Sequence, residues 1–139
     1  VNFRDYESCF KLSRKINTPI TIGENFHGTY DLITSIENKA SSLIMPDLMR
    51  IGGVSGWIKA ANIAEAYNLK LSSHLFPEVS AHLMNISPTA DWLEWVDWAE
   101  PILEDTGFKV KDGKCYIPDK PGTGIEWNDN NIEKYLVNI

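Results

Sequence analysis

The chain has 139 residues, of which 43% are hydrophobic, and a formal net charge of −6 at pH 7. This length and apolar content allow a buried core and correspond to one domain or part of one. The acidic balance argues against nucleic acid and against a membrane surface as partners, because both attract basic proteins. Cys9 and Cys115 form no CxxC pair, and the sequence shows neither a signal-peptide pattern nor an apolar run of bilayer length. We therefore expect a protein of the cytoplasm.

Short β-branched runs alternate with amphipathic segments along the first two thirds of the chain. The predicted strands are PITIGEN (19–25), SLIMPD (42–47), LKLSSH (69–74) and ADWLEW (90–95). The predicted helices are DYESCFKLSRKI (5–16), TYDLITSIENKA (29–40), VSGWIKAANIAEAY (54–67) and PEVSAHLMNI (77–86). The third of these has the clearest apolar face, formed at helical spacing by Val54, Trp57, Ile58, Ala61 and Ala64. Strands that alternate with helices imply a parallel sheet with helical crossovers.

The pattern changes after Asp97. FKVKDGKCYIP (108–118) predicts a hairpin that turns at Asp112-Gly113. DKPGTGIEW (119–127) is typical of a loop, and NNIEKYLVNI (130–139) predicts a closing helix. We therefore divide the chain into residues 1–96, which supply the β/α units, and residues 97–139, which form a hairpin, a loop and a helix.

Ionisable residues occur at or near the carboxyl ends of the four predicted strands. They are Glu24, Asp47, His74 and Glu94, spaced 20 to 27 residues apart, and a (β/α)₈ barrel uses roughly 30 residues per unit. Active sites of α/β sheets lie at this end of the strands. Any one of these residues could simply end a strand, because loops are polar. Four in succession, with a histidine between acids, favour an active site.

These residue types suit the removal of a proton next to a carboxylate. His74 is a competent general base, and Asp47, one strand away, can fix its tautomer and stabilise the imidazolium. Glu24, followed by Asn25, offers oxygen donors suited to a hard cation such as Mg²⁺. We expect Glu94, which lies between two tryptophans, to act as an acid that donates a hydrogen bond.

The same motifs resemble a known family. PITIGEN, LIMPDLMRIGGVSGWIKAANIAEAYNLKLSSHLFPEVSAHL (43–83), DWLEW (91–95) and IPDKPGTGIEW (117–127) resemble the mandelate racemase / muconate lactonizing enzyme family of the enolase superfamily, and mandelate racemase most of all. The resemblance covers almost the whole chain. It implies an α/β fold, the carboxyl-terminal part of a (β/α)₇β TIM-type barrel that is incomplete in this chain. It also implies an N-terminal capping domain elsewhere in the protein, towards which residues 97–139 would pack.

The resemblance assigns a role to each of the four residues. Glu24 matches a metal-binding carboxylate for Mg²⁺, His74 a general base, and Asp47 the acid hydrogen-bonded to that base. Glu94 matches the acid that hydrogen-bonds the substrate carboxylate as it becomes an enolate. The implied enzyme abstracts the α-proton of a magnesium-bound 2-hydroxy carboxylate and then racemises it. Acid-sugar dehydration on the same residues is the alternative reaction.

Two departures from the family pattern limit what this chain can do alone. The family's first two metal carboxylates and its Lys-x-Lys base lie on earlier strands, which nothing before residue 19 supplies. KVK at 109–111 falls in the late hairpin and is rejected as that motif. We therefore expect the chain alone to be inactive and the full-length protein to be a homo-oligomer. An alternative of another class is a non-catalytic fragment or interaction module, whose open sheet edges would favour self-association.

Overall fold

The computed structural model describes residues 1–137, which form a parallel sheet with intervening helices, a hairpin and a terminal helix. The strands are β1 (Thr21–Ile22), β2 (Leu43–Ile44), β3 (Lys70–Leu71), β4 (Lys109–Lys111) and β5 (Lys114–Tyr116). The helices are α1 (Tyr6–Ser13), α2 (Thr29–Glu37), α3 (Gly53–Ala66), α4 (Pro77–Ile86) and α5 (Asp129–Tyr135), with a 3-10 turn at Glu100–Ile102. The predicted α/β class is confirmed.

The sheet has the order β1-β2-β3, and both pairings are parallel. An offset of 27 residues pairs β2 with β3, and the same offset pairs the backbones of Asp47 and His74 beyond the ends of these strands. Corresponding points of neighbouring parallel strands lie roughly 5 Å apart. The register of the sheet therefore brings these two side chains to the same edge.

The predicted strand over 90–95 is wrong as a regular strand. The segment runs beside β3 but forms only one parallel bridge, between Leu71 and Ala90. Beyond this bridge the pairing shifts by one residue, because Ser73 N–H donates to the Trp92 carbonyl at 2.9 Å, where a regular parallel ladder would use the Asp91 carbonyl. Serine hydroxyls accept the remaining amides: Trp92 N–H donates to Ser72 Oγ at 3.3 Å, and Glu94 N–H donates to Ser73 Oγ at 2.9 Å.

The core lies between the sheet and its helices, and its largest buried side chain is Trp57 on α3. The Trp57 indole N–H donates to the buried Ser87 Oγ at 3.1 Å, so the polar atom of the ring is satisfied. The apolar face predicted for this helix is partly wrong, since Val54 and Ile58 are exposed. The buried stripe is instead narrower and follows the alanines, at Trp57, Ala60, Ala61 and Ala64.

The predicted hairpin is confirmed as β4 and β5, with Asp112 and Gly113 at the turn, both at positive φ. The predicted closing helix ends at Tyr135, and residues 138 and 139 lie outside the described residues.

The late loop contacts the β/α part through His82 on α4, whose Nε2 lies 3.0 Å from the Thr123 carbonyl. The division at residue 96 stays a prediction. Among residues 1–137, no helix combines the length and apolarity that a bilayer crossing requires.

Candidate active site

The centre of the candidate site is a hydrogen-bonded pair of side chains, Asp47 and His74. The Asp47 Oδ2 atom lies 2.8 Å from His74 Nδ1. The Asp47 side chain is 5% exposed and the His74 side chain 15% exposed, so water competes little for this contact. A carboxylate can only accept, and therefore Nδ1 carries the proton, which in the neutral imidazole leaves the lone pair on Nε2. The predicted partnership of these two residues is present in the structure.

Backbone amides hold Asp47 in place from the other side. Its Oδ1 atom accepts from Met49 N–H at 2.9 Å and from Arg50 N–H at 3.0 Å, in the turn that follows β2. The two carboxylate oxygens therefore have separate partners, the turn and the imidazole. This arrangement fixes the orientation of the carboxylate before any substrate binds.

Glu24 lies on the opposite side of the imidazole from Asp47. Its Oε2 atom is 3.9 Å from His74 Nε2, and its side chain is about half exposed, at 48%. The nitrogen that faces Glu24 is thus the one that does not bond to Asp47. A separation of 3.9 Å leaves no room for another heavy atom between these two atoms, so a reacting group that contacts both would have to approach them from one side.

Gly23 positions Glu24 by letting β1 approach β2 closely. It has a φ of 145°, and a Cβ atom built on it would lie 2.7 Å from the backbone nitrogen of Met45. Met45 N–H donates to the Ile22 carbonyl at 2.9 Å, so a side chain at Gly23 would disturb the hydrogen bonding between β1 and β2.

We expect Gly23→Ala to lower the free energy of unfolding by at least about 2 kcal/mol, because it adds backbone strain and a main-chain clash. Gly113→Ala is the matched control, since Gly113 has a φ of 72° in the hairpin turn but no heavy atom within 4 Å of its built Cβ. That variant should lose only about 1 kcal/mol, from strain alone. Urea unfolding compares the two, and equal losses would contradict the close-approach argument.

Glu94 lies near the same edge, beyond the end of β3. Its Oε2 atom accepts from Leu75 N–H at 2.6 Å. Leu75 has a φ of 54°, an unusual backbone conformation for a bulky residue, and it directly follows His74. His74 and Glu94 are thus linked through one backbone amide.

A cavity of about 220 Å³ lies beside Glu94. It is lined by both apolar and polar groups, among them Leu43, Met45, Ser72, Ser73 and Trp92. Of the four predicted site residues, Glu94 lines this cavity, whereas Asp47, His74 and Glu24 do not. Contacts between side chains bring those three residues into one cluster, and Glu94 is joined to it through Leu75.

The side chains fit a magnesium site only in part. Glu24 offers a hard oxygen ligand of the kind that Mg²⁺ prefers. Asn25, expected to add a second oxygen, instead accepts through Oδ1 from Arg50 Nη1 at 2.7 Å. Within residues 1–137, no three His, Cys, Asp or Glu side chains are grouped as a metal site. Because Mg²⁺ is often bound by one or two carboxylates with water and substrate, Glu24 can be one member of a larger ligand set.

Sequence reasoning missed Arg50 and the Leu75 amide. Arg50 Nη1 donates to the Glu24 carbonyl at 3.1 Å and lies 3.9 Å from Glu24 Oε1. The sequence shows that Arg50 lies three residues after Asp47, but it does not show that the side chain extends to the turn after β1. The bond from the Leu75 amide to Glu94 could not be found from a pattern of side chains, because every residue except proline has a backbone N–H.

Comparison with protein families identifies the part of the chain that carries this site. A family model described as Enolase C-terminal domain-like matches residues 1–131. Among curated proteins, the L-talarate/galactarate dehydratase of Salmonella typhimurium is 32% identical over 121 residues, which cover 87% of this chain and 30% of the relative. The D-xylonate dehydratase of Haloferax volcanii is 28% identical over 135 residues, covering 91% and 32%. The chain thus spans about a third of the length of these relatives.

Solved structures share the fold closely. An enolase from an alpha proteobacterium, bal199, with bound magnesium has a TM-score of 0.93 and 42% identity, over 96% of this chain and 37% of the other. An enolase from Bradyrhizobium complexed with magnesium and mandelic acid has a TM-score of 0.92 and 36% identity, over 99% and 38%. The part of the barrel predicted from the sequence is confirmed by these similarities.

Proposed function

Because the chain belongs to the Enolase C-terminal domain-like family, we propose that it carries the general base of an active site that removes an α-proton from a carboxylate substrate. The observation that carries this proposal is the contact of 2.8 Å between Asp47 and His74. It leaves His74 Nε2 without a bond to Asp47 and directed towards Glu24, 3.9 Å away, so that the neutral imidazole offers its lone pair there. The substrate class is a small 2-hydroxy carboxylate.

His74 Nε2 takes the α-proton in this proposal. The imidazole then becomes an imidazolium whose Nδ1–H remains bonded to Asp47. A buried carboxylate stabilises that positive charge more than water would, since the surroundings screen it less. Asp47 is thus a positioning residue, and its own anchoring by two amides keeps the imidazole directed at the substrate.

Glu94 is proposed as the acid that hydrogen-bonds the substrate carboxylate as negative charge develops on it. One of its oxygens accepts from Leu75 N–H, which leaves the other oxygen available to the cavity. A donor aimed at developing charge stabilises the enolate more than the ground state. This step needs Glu94 to carry a proton on the oxygen that faces the cavity.

Glu24 is the residue proposed to hold Mg²⁺. When bound, the ion would neutralise charge on the substrate carboxylate and favour loss of the neighbouring proton. Both solved enolases described above contain magnesium. The remaining ligands would come from water, from substrate or from chain outside residues 1–137.

Two reactions can follow proton removal. The curated relatives that are dehydratases of sugar acids support dehydration, in which the β-hydroxyl leaves and the resulting enol becomes a keto acid. The Bradyrhizobium enolase complexed with mandelic acid supports racemisation, in which a proton returns to the opposite face. We favour dehydration and keep racemisation as the second candidate, which reverses the order expected from the sequence resemblance.

Full-length protein supplied with Mg²⁺ tests the proposal, with galactarate, xylonate and mandelate as substrates. Keto-acid formation marks a dehydratase, and loss of optical rotation from mandelate marks a racemase. A monomer whose melting temperature does not respond to Mg²⁺, and which turns over none of these compounds, would support the non-catalytic interaction module instead. Cytoplasmic location and assembly into a homo-oligomer stay predictions.

A further inference from the structure

Arg50 contacts both halves of the candidate site. Its backbone N–H donates to Asp47 Oδ1 at 3.0 Å, and its Nη1 donates to the Glu24 carbonyl and to Asn25 Oδ1. Its own carbonyl accepts from Gly28 N–H at 3.1 Å. One residue in the turn after β2 therefore bonds to three residues of the turn after β1.

From these contacts we infer that Arg50 is a positioning residue that locks the 24–28 turn against the turn that carries Asp47. The role of Glu24 as a magnesium ligand rests on the proposed function, but the locking of the turn does not. The 24–28 turn has other bonds of its own, from Phe26 N–H to the Gly23 carbonyl and from His27 N–H to Asp31 Oδ2. Those bonds shape the turn, whereas the bonds of Arg50 fix where it lies relative to His74.

The charge of Arg50 does not by itself account for its effect on the 24–28 turn. Nη1 lies 3.9 Å from Glu24 Oε1, and the two side chains are 41% and 48% exposed. Exposed ion pairs contribute little to stability. A positive charge at this distance would also oppose a second cation on the same carboxylate. The shorter bonds, at 2.7 and 3.1 Å, go to an amide oxygen and a backbone carbonyl, so they set geometry.

Two substitutions separate these effects in the full-length protein. Arg50→Lys keeps the charge, but its ammonium reaches one bond less far than Nη1 and has no planar guanidinium. Arg50→Met keeps most of the aliphatic stem and removes both donor and charge. The matched control is Lys120→Met, because Lys120 also bonds a backbone carbonyl and a carboxylate, those of Asp105 and Glu126, in the late loop.

We expect both Arg50 variants to speed amide hydrogen exchange of residues 24–28 at least about tenfold, because the two Nη1 bonds to Glu24 and Asn25 are lost while the backbone bond from Gly28 N–H stays. The midpoint of the Mg²⁺ titration, followed by calorimetry, should rise about tenfold or more, which is the usual effect of losing a residue that orients a metal ligand. Lys120→Met should change neither quantity at the site.

The outcomes distinguish this inference from the proposed function. Unchanged exchange of residues 24–28 in both variants would overturn the inference, whatever happens to Mg²⁺ binding. Tighter Mg²⁺ binding by Arg50→Met with unchanged exchange would mean that Arg50 acts only by charge, which also overturns it. Faster exchange in a protein whose parent does not bind Mg²⁺ would support the lock and contradict the proposed role of Glu24.

Discussion

His74→Asn should lower kcat for the reaction of the full-length protein by about 10²- to 10⁴-fold, the usual contribution of a general base. Asparagine has no basic nitrogen, but its amide can still donate to Asp47 Oδ2 in place of Nδ1. The buried carboxylate then keeps a partner, so the fold should survive. We expect a melting temperature close to that of the parent and a KM that changes little.

His82→Asn is the matched control for that substitution. His82 lies on α4, in the helix that follows His74, and contacts the Thr123 carbonyl and the edge of Phe108 rather than the dyad. Steady-state kinetics should show kcat within a few-fold of the parent for His82→Asn. Equal activity in His74→Asn and the parent would contradict the assignment of the base.

Asp47→Asn should lower kcat by about 10⁴-fold, by analogy with the acid behind the histidine of a Ser-His-Asp triad. The new Oδ1 atom can still accept from the amides of Met49 and Arg50, which leaves the amide NH₂ facing His74. A donor at that place forces Nδ1 to accept, so the ring proton moves to Nε2. The imidazole then has no lone pair directed at the substrate.

The free energy of unfolding should distinguish Asp47→Asn from Asp47→Ala. Alanine leaves two amides and the imidazole N–H without their buried acceptor, and we expect it to cost at least about 2 kcal/mol of unfolding free energy. Asparagine should cost much less. Asp5→Asn is the control for activity, since Asp5 accepts a hydrogen bond from Ser8 N–H at the start of α1, away from His74. Normal kcat in Asp47→Asn would rule out the tautomer argument.

The dyad could be predicted because it depends on regular features of the chain. Parallel strands present their carboxyl ends at one edge, and β2 and β3 pair at the same offset that separates Asp47 from His74. A polar residue after each apolar run was therefore sufficient to place Asp47 and His74 together. The alternation of strands and helices gave the fold class by the same reasoning.

The failures have a different cause. The segment expected as a strand at 90–95 leaves the regular ladder after Asp91, where Ser73 N–H donates to the Trp92 carbonyl and the hydroxyls of Ser72 and Ser73 accept from nearby amides. Arg50 acts through a long side chain that reaches a turn 25 residues away in sequence. Both depend on which side-chain atom a given amide or carbonyl meets, and hydrophobic periodicity contains no information about that.

Incorporation of solvent deuterium shows whether His74 removes an α-proton. The full-length protein would be incubated in D₂O with galactarate or mandelate, with Mg²⁺ and with a chelator, and followed by NMR. We expect deuterium only with Mg²⁺, at the α-carbon for racemisation or at the former β-carbon of the keto acid for dehydration. The label should disappear in His74→Asn and remain in His82→Asn. Label that persists unchanged in His74→Asn, or that never appears in a protein shown to bind Mg²⁺ and both substrates, would contradict this role of His74.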